Sequence, residues 1–238
     1  KVFNISFITP PANSTGVQHM LEHCVLGGSR KYSPGYYEMA REYLADGTAN
    51  ASTSNMITSY NFSAVKDENF MKCLDIYLDA VFYPLVLQNK NIFLREGWRY
   101  EIFEDDAGNQ FIDINGMVLN EMKAHDANYN RRCWENVYRK LDSNSYGRYR
   151  SGGKSYKIPK CEYEDLIQYY ETYYKPANSF IYLYGDIDIE QTLDFLDEEY
   201  LSQLDAGEPV SLSKSTEEHK RICCKKYIKT DKEEDHLY

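Results

Sequence analysis

Hydrophobic and polar residues alternate singly at the start of the chain. In KVFNISFIT, residues 1–9, Phe3, Ile5 and Phe7 fall on one side and Val2, Asn4 and Ser6 on the other, which predicts a strand ended by Pro10 and Pro11. The period then changes. Val17, Met20, Leu21, Cys24 and Val25 recur at steps of three and four, so 17–26 is expected as a helix with one apolar stripe, stopped by Gly27 and Gly28. A second helix fits 36–45, closed by Asp46 and Gly47, and two short strands fit 48–54 and 57–65. Helical spacing returns over 67–83, where Phe70, Leu74, Tyr77, Leu78, Val81 and Phe82 share a face, and again over 89–101.

After the turn-like EDDAGNQ, a helix is expected over 114–127, with Ile114, Met117, Val118, Glu121 and Met122 on one stripe. A carboxylate thus interrupts an apolar face. Further helices fit 131–141, 163–174 and 188–201, with a strand at 179–184. Trp98 and Trp134 lie in helical patterns and are expected in the core. Residues 1–204 read as one domain, the polar stretch 205–219 as a linker, and 220–238 as the opening strand of a following, incomplete domain.

Composition narrows the function classes. Of 238 residues, 42% are hydrophobic and 27% charged, which suits a folded water-soluble domain. No apolar run is long enough to span a bilayer. The net charge of −10 would repel a phosphate backbone, so neither nucleic acid nor membrane is expected as a partner. None of the six cysteines forms a C-x-x-C pair, and together they read as reduced thiols in a cytosol-like compartment. A cytoplasmic location is therefore expected. The Gly-rich GRYRSGGKS at 147–155 fails as a phosphate loop, because Arg148 stands where the loop requires glycine, and reads as a turn.

The segment His19-Met20-Leu21-Glu22-His23 carries the chemistry. Four residues advance about 400° on a helix, so His19 and His23 lie one above the other, with Glu22 on the same side. Such a pair can bind one metal ion, or it can be a solvated helix face. Zinc with two imidazoles wants one more protein ligand and an open fourth position. Glu121 is the candidate, because an acid on an apolar stripe is costly unless it meets a metal or a basic partner. Both readings stay open on these residues alone.

The H-x-x-E-H order and its surroundings resemble the pitrilysin/insulinase metallopeptidases, in particular the presequence protease and falcilysin branch. The likeness is carried by GVQHMLEHCVLGGSRKY at 16–32, TANAST at 48–53 and YLDAVFYP at 77–84. REGWRYE at 95–101, NGMVLNEMKA at 115–124, SGG at 151–153 and YYKPANSFIYLYGDID at 173–188 follow in order and spacing. The resemblance implies an α+β fold, helices packed on a mainly antiparallel sheet, and a zinc-dependent endopeptidase acting on unfolded peptides. It implies Zn2+ held by His19, His23 and Glu121, with Glu22 as general base. Asn50, Ala51 and Ser52 would lie on an edge strand that holds the peptide substrate.

Relatives of this branch are longer, so the remaining domains of a full-length enzyme are expected partners and the isolated segment is expected to be feeble. Some positions depart from the family pattern. Ser52 replaces an aromatic residue, Gly28 follows Gly27 where a Cys is common, and Ala124 replaces a glycine. Ile114 stands where relatives carry a supporting acid, with Asp113 the nearest carboxylate. The rival reading is a non-catalytic peptide-binding or assembly subunit of the same fold.

Overall fold

A computed structural model describes residues 1–45, 48–141 and 146–212. Its centre is a four-stranded antiparallel sheet in the order β2-β3-β1-β6, built from β1 (Val2–Ile8), β2 (Ala49–Thr53), β3 (Ile57–Ser63) and β6 (Ser179–Tyr184). Strand β1 runs in the middle, with Ile5 opposite Tyr60 on one side and Ile181 on the other. The alternation of the opening segment survives intact. Phe3, Ile5 and Phe7 are buried, whereas Ser6 hydrogen-bonds Ser59 across the opposite face. The first set packs against helix α3 (Asp67–Phe82) through Phe3–Tyr77 and Phe7–Phe82 ring contacts.

Helix α1 (Val17–Val25) buries its predicted stripe completely and touches β2, α4 (Lys90–Glu96), α5 (Met117–Ala127) and α7 (Tyr163–Tyr173). It is therefore held from several directions. The short α2 (Tyr36–Met39) continues as a wider turn over Ala40–Leu44. The remaining helices are α6 (Tyr129–Leu141) and α8 (Ile189–Glu199). The fold is α+β with helices on a mainly antiparallel sheet, as expected.

The boundaries around residue 100 differ from the sequence reading. The helix expected over 89–101 stops at Glu96, and 99–115 form a hairpin of β4 (Arg99–Glu104) and β5 (Gln110–Asn115). A close backbone contact marks the break. A Cβ on Gly116 would sit 2.1 Å from the Gly97 carbonyl oxygen, so Gly116 needs to be glycine where the two segments cross. Asp105 then closes the turn by accepting from the Ala107 and Asn109 amides. Ile114 consequently belongs to β5, and α5 begins at Met117.

Trp134 is exposed rather than core, while Trp98 is partly buried and donates its indole N–H to the Cys161 carbonyl. Cys24, Cys133 and Cys161 are buried thiols outside any disulfide, and Cys73 is buried as well. Among the described residues no helix is long and apolar enough to cross a membrane. Asp46 and Gly47, residues 213–219 of the expected linker, and the expected strand after 220 lie outside the described residues.

Candidate metal centre

The apolar stripe of α1 faces the core, which turns His19, Glu22 and His23 toward β2 and α5. His19 and Glu22 are nonetheless buried and His23 is partly so. Helix α5 buries Val118, Leu119 and Met122, leaving Glu121 beside that stripe, facing α1. The Glu121 Oε2 atom lies 3.6 Å from His19 Nε2 and 3.6 Å from His23 Nε2. The three ligand atoms lie within 4.8 Å of one another, a distance range that can enclose one ion. Tetrahedral zinc with bonds of about 2.1 Å separates its ligand atoms by about 3.4 Å, so this donor set fits the ion. The two imidazole planes are nearly perpendicular, at 89°.

The electrostatics distinguish the two rings. Burial, with His23 adding to it, lowers the His19 pKa to about 4, so its imidazole is neutral at pH 7 and keeps a lone pair for a cation. Burial also depresses His23, but the neighbouring Glu96, Glu22 and Glu121 carboxylates outweigh it and leave its pKa raised. Glu96 Oε2 stands 3.4 Å from His23 Nδ1, on the side of the ring away from Glu121. Its own pKa is lowered: hydrogen bonds from His23 and Arg95 overcome the opposing effect of burial. Glu22 is raised by burial, partly countered by the Thr53 hydroxyl, which donates to its Oε2 at 2.6 Å.

A Gly-rich segment backs the site. A Cβ on Gly16 would meet the Gly152 carbonyl oxygen at 2.7 Å, and one on Gly152 would meet the Met122 sulfur at 2.8 Å. Residues 150–155 therefore lie flat against the start of α1 and against α5. They are fastened there by Lys154 N–H donating to the Ser14 carbonyl and by Asp126, which accepts from Arg150 and from the Ser155 amide.

His19, Glu22, His23 and Glu121 are thus brought together. Asn50, Ala51 and Ser52 lie nearby on β2, the sheet-edge strand next to α1, with Asn50 and Ser52 exposed. Asp113 is not brought to the centre: its carboxylate accepts from the Ile114 amide on an exposed strand. The acid that meets a ligand ring is Glu96, within REGWRYE. Sequence reasoning passed over it because 89–101 read as an unbroken helix. Thr53 was missed too, although it closes the TANAST segment. His125 lies 3.8 Å from Glu121, and Asp126 beside it ties down the Gly-rich segment.

Comparison with known proteins bears on the family and the fold. The family model "Insulinase (Peptidase family M16)" matches residues 8–107, and "Peptidase M16 inactive domain" matches 160–238. Protein HypA of Clostridium perfringens is 38% identical over 210 residues, covering 87% of this chain and 21% of HypA. The mitochondrial presequence protease of Kluyveromyces lactis is 38% identical over 205 residues, covering 84% of this chain and 20% of that protein. The crystal structure of pitrilysin shares the fold, with a TM-score of 0.62 at 17% identity over 94% of this chain and 22% of pitrilysin. The chain spans about a fifth of the length of the curated relatives it matches. With the HMLEH helix, the sheet it packs on and two segments matching that family, the chain belongs to the pitrilysin/insulinase peptidases, family M16, on the presequence protease branch.

Proposed function

We propose that this chain is the metal-bearing domain of a larger zinc metalloendopeptidase that hydrolyses unfolded peptides. One observation carries the reading: His19 and His23 of α1 converge with Glu121 of α5 beside a buried carboxylate, Glu22. In this reading His19, His23 and Glu121 hold Zn2+, which when bound supplies Lewis-acid polarisation and makes water easier to deprotonate. Glu22 is the general base. Burial favours its protonated form and so suits it to take a proton from water and return it to the leaving amine. The Thr53 hydroxyl occupies Glu22 Oε2 and fixes the carboxylate, leaving Oε1 for the water.

Asn50, Ala51 and Ser52 offer the edge of β2 to the peptide main chain, a mode that binds peptides with little sequence preference. Ser52 gives that edge a small polar side chain in place of an aromatic wall. The domain runs over 1–204 in this reading, and its partners are peptides and the remaining domains of the full-length protein. Among the described residues, the buried thiols Cys24, Cys133 and Cys161 stand outside any disulfide, which suits a reducing compartment such as the cytoplasm. A non-catalytic subunit would leave the buried Glu22–Thr53 pair without a use.

Glu22→Gln, made in the full-length protein, tests the reading. The variant is expected to keep its zinc and its fold while hydrolysis of a fluorogenic peptide falls at least about a hundredfold. Undiminished turnover would remove Glu22 from the chemistry.

A further inference from the structure

The molecule is acidic, with a net charge of −10, yet the charge reverses beside the candidate metal centre. A cavity of about 380 Å³ adjoining His19 and Glu121 is lined by Arg131, Arg139, Arg150 and Lys154. The acids in that lining are already engaged. Glu121 faces the two metal-centre imidazoles, and Glu135 is shared between Arg131 at 3.6 Å and Arg150 at 3.2 Å. Arg150 also pairs with Asp126, and its side chain is only 10% exposed, so its position is fixed.

Arg139 and Lys154 have no carboxylate at ion-pair distance among the described residues. Arg139 donates to the Asn136 amide oxygen, and its Nε is buried without a hydrogen-bond partner among the described residues. The Lys154 ammonium rests against the Tyr156 ring. Thr53, the last residue of β2, and Asn55 just beyond it also line the cavity. A peptide laid along β2 toward the metal centre would therefore carry one of its residues over this cavity. A basic side chain would be repelled there, and an aliphatic one would leave the two cations dehydrated and unpaired.

We propose that this cavity is a subsite for a carboxylate of the bound peptide, supplied by an Asp or Glu side chain close to the scissile bond or by the peptide's C-terminus. The proposal rests on the peptidase reading above and adds a substrate preference to it. Arg139 and Lys154 are the specificity-determining residues. Arg150 sets the potential from behind, and a cation at His19, His23 and Glu121 would strengthen it by neutralising Glu121.

The test uses the 238-residue chain carrying Glu22→Gln and loaded with zinc, so that bound peptide is not cut. Binding is read by fluorescence anisotropy for a host peptide with Glu, Gln or Lys placed at each position in turn, each with a free or amidated C-terminus. Carboxylate at one position, or at the free C-terminus alone, is expected to tighten binding about tenfold over its amide and to lose that advantage in high salt. The two sets of peptides separate the side-chain source from the terminal one. The double variant Arg139→Gln/Lys154→Gln is expected to erase the difference, and Lys154→Gln alone to reduce it, which covers misfolding of the double variant.

Equal binding of Glu and Gln peptides at every position and terminus overturns the subsite, as does a preference that survives in the double variant. A chain that takes up zinc and binds peptide without the preference contradicts the subsite alone. A chain that takes up no zinc contradicts the peptidase reading itself.

Discussion

At the scale of single residues, the convergence of His19, His23 and Glu121 was legible because the spacing of the two histidines is a property of the helix. Two imidazoles four residues apart share a face, and an acid on an apolar stripe requests a partner. The supporting groups were not legible. Glu96 is the last residue of α4, and its carboxylate meets His23 at a helix end that the periodicity did not place. The Glu96 carboxylate, 3.4 Å from the ring nitrogen turned away from Glu121, is placed to accept its N–H, which would fix the ring and raise its basicity toward a metal. Glu96→Gln keeps the shape and removes the charge. Its zinc affinity, measured by competition with a chromophoric chelator, is expected to fall about 10–100-fold, with the fold unchanged by circular dichroism. An unaltered affinity would make Glu96 a bystander.

At the scale of elements, periodicity identified β1, α1 and α3 by their buried faces, because each packs through one side. It misjudged 89–101, where a short helix is followed by a strand whose Tyr100 and Ile102 are exposed, so no buried alternation announced it. The Gly-rich segment 150–155 read as a simple turn, yet it supports α1 through contacts with Gly16 that have no local signature. Gly16 has φ +78°, and an added Cβ would collide with the Gly152 carbonyl, a backbone atom that cannot swing aside. Gly16→Ala is expected to cost about 1–3 kcal/mol in urea unfolding, because both strain and collision must be relieved by moving α1. A neutral result would mean that the contact between α1 and the Gly-rich segment is loose.

At the scale of the whole molecule, composition excluded classes but could not locate charge. The chain is acidic as a whole, whereas the cavity at the site is lined by Arg131, Arg139, Arg150 and Lys154, since local potential follows which side chains converge. Stability has its own charged node, far from the site. Asp75 on α3 accepts from Lys31 Nζ at 2.8 Å and from the Tyr32 and Tyr200 hydroxyls, joining α3 to the loop after α1 and to the chain after α8. Burial would raise its pKa, but these donors more than offset that and leave it below the usual carboxylate value. A depressed folded-state pKa contributes stability that is present above the unfolded value, about 3.9, and lost as pH falls through the folded one. Asp75→Asn is thus expected to be about 1–2 kcal/mol less stable than wild type at pH 7, with the gap closing below about pH 4 in urea unfolding. A gap independent of pH would assign the loss to packing. The most direct test of the whole account is the metal content of the purified chain by elemental analysis, beside Glu121→Ala, whose target comes from a helix remote in sequence from the two histidines. One zinc per chain in the wild type and a large fall in the variant is the predicted result; equal zinc in both, or none in a wild type incubated with the ion, would contradict it.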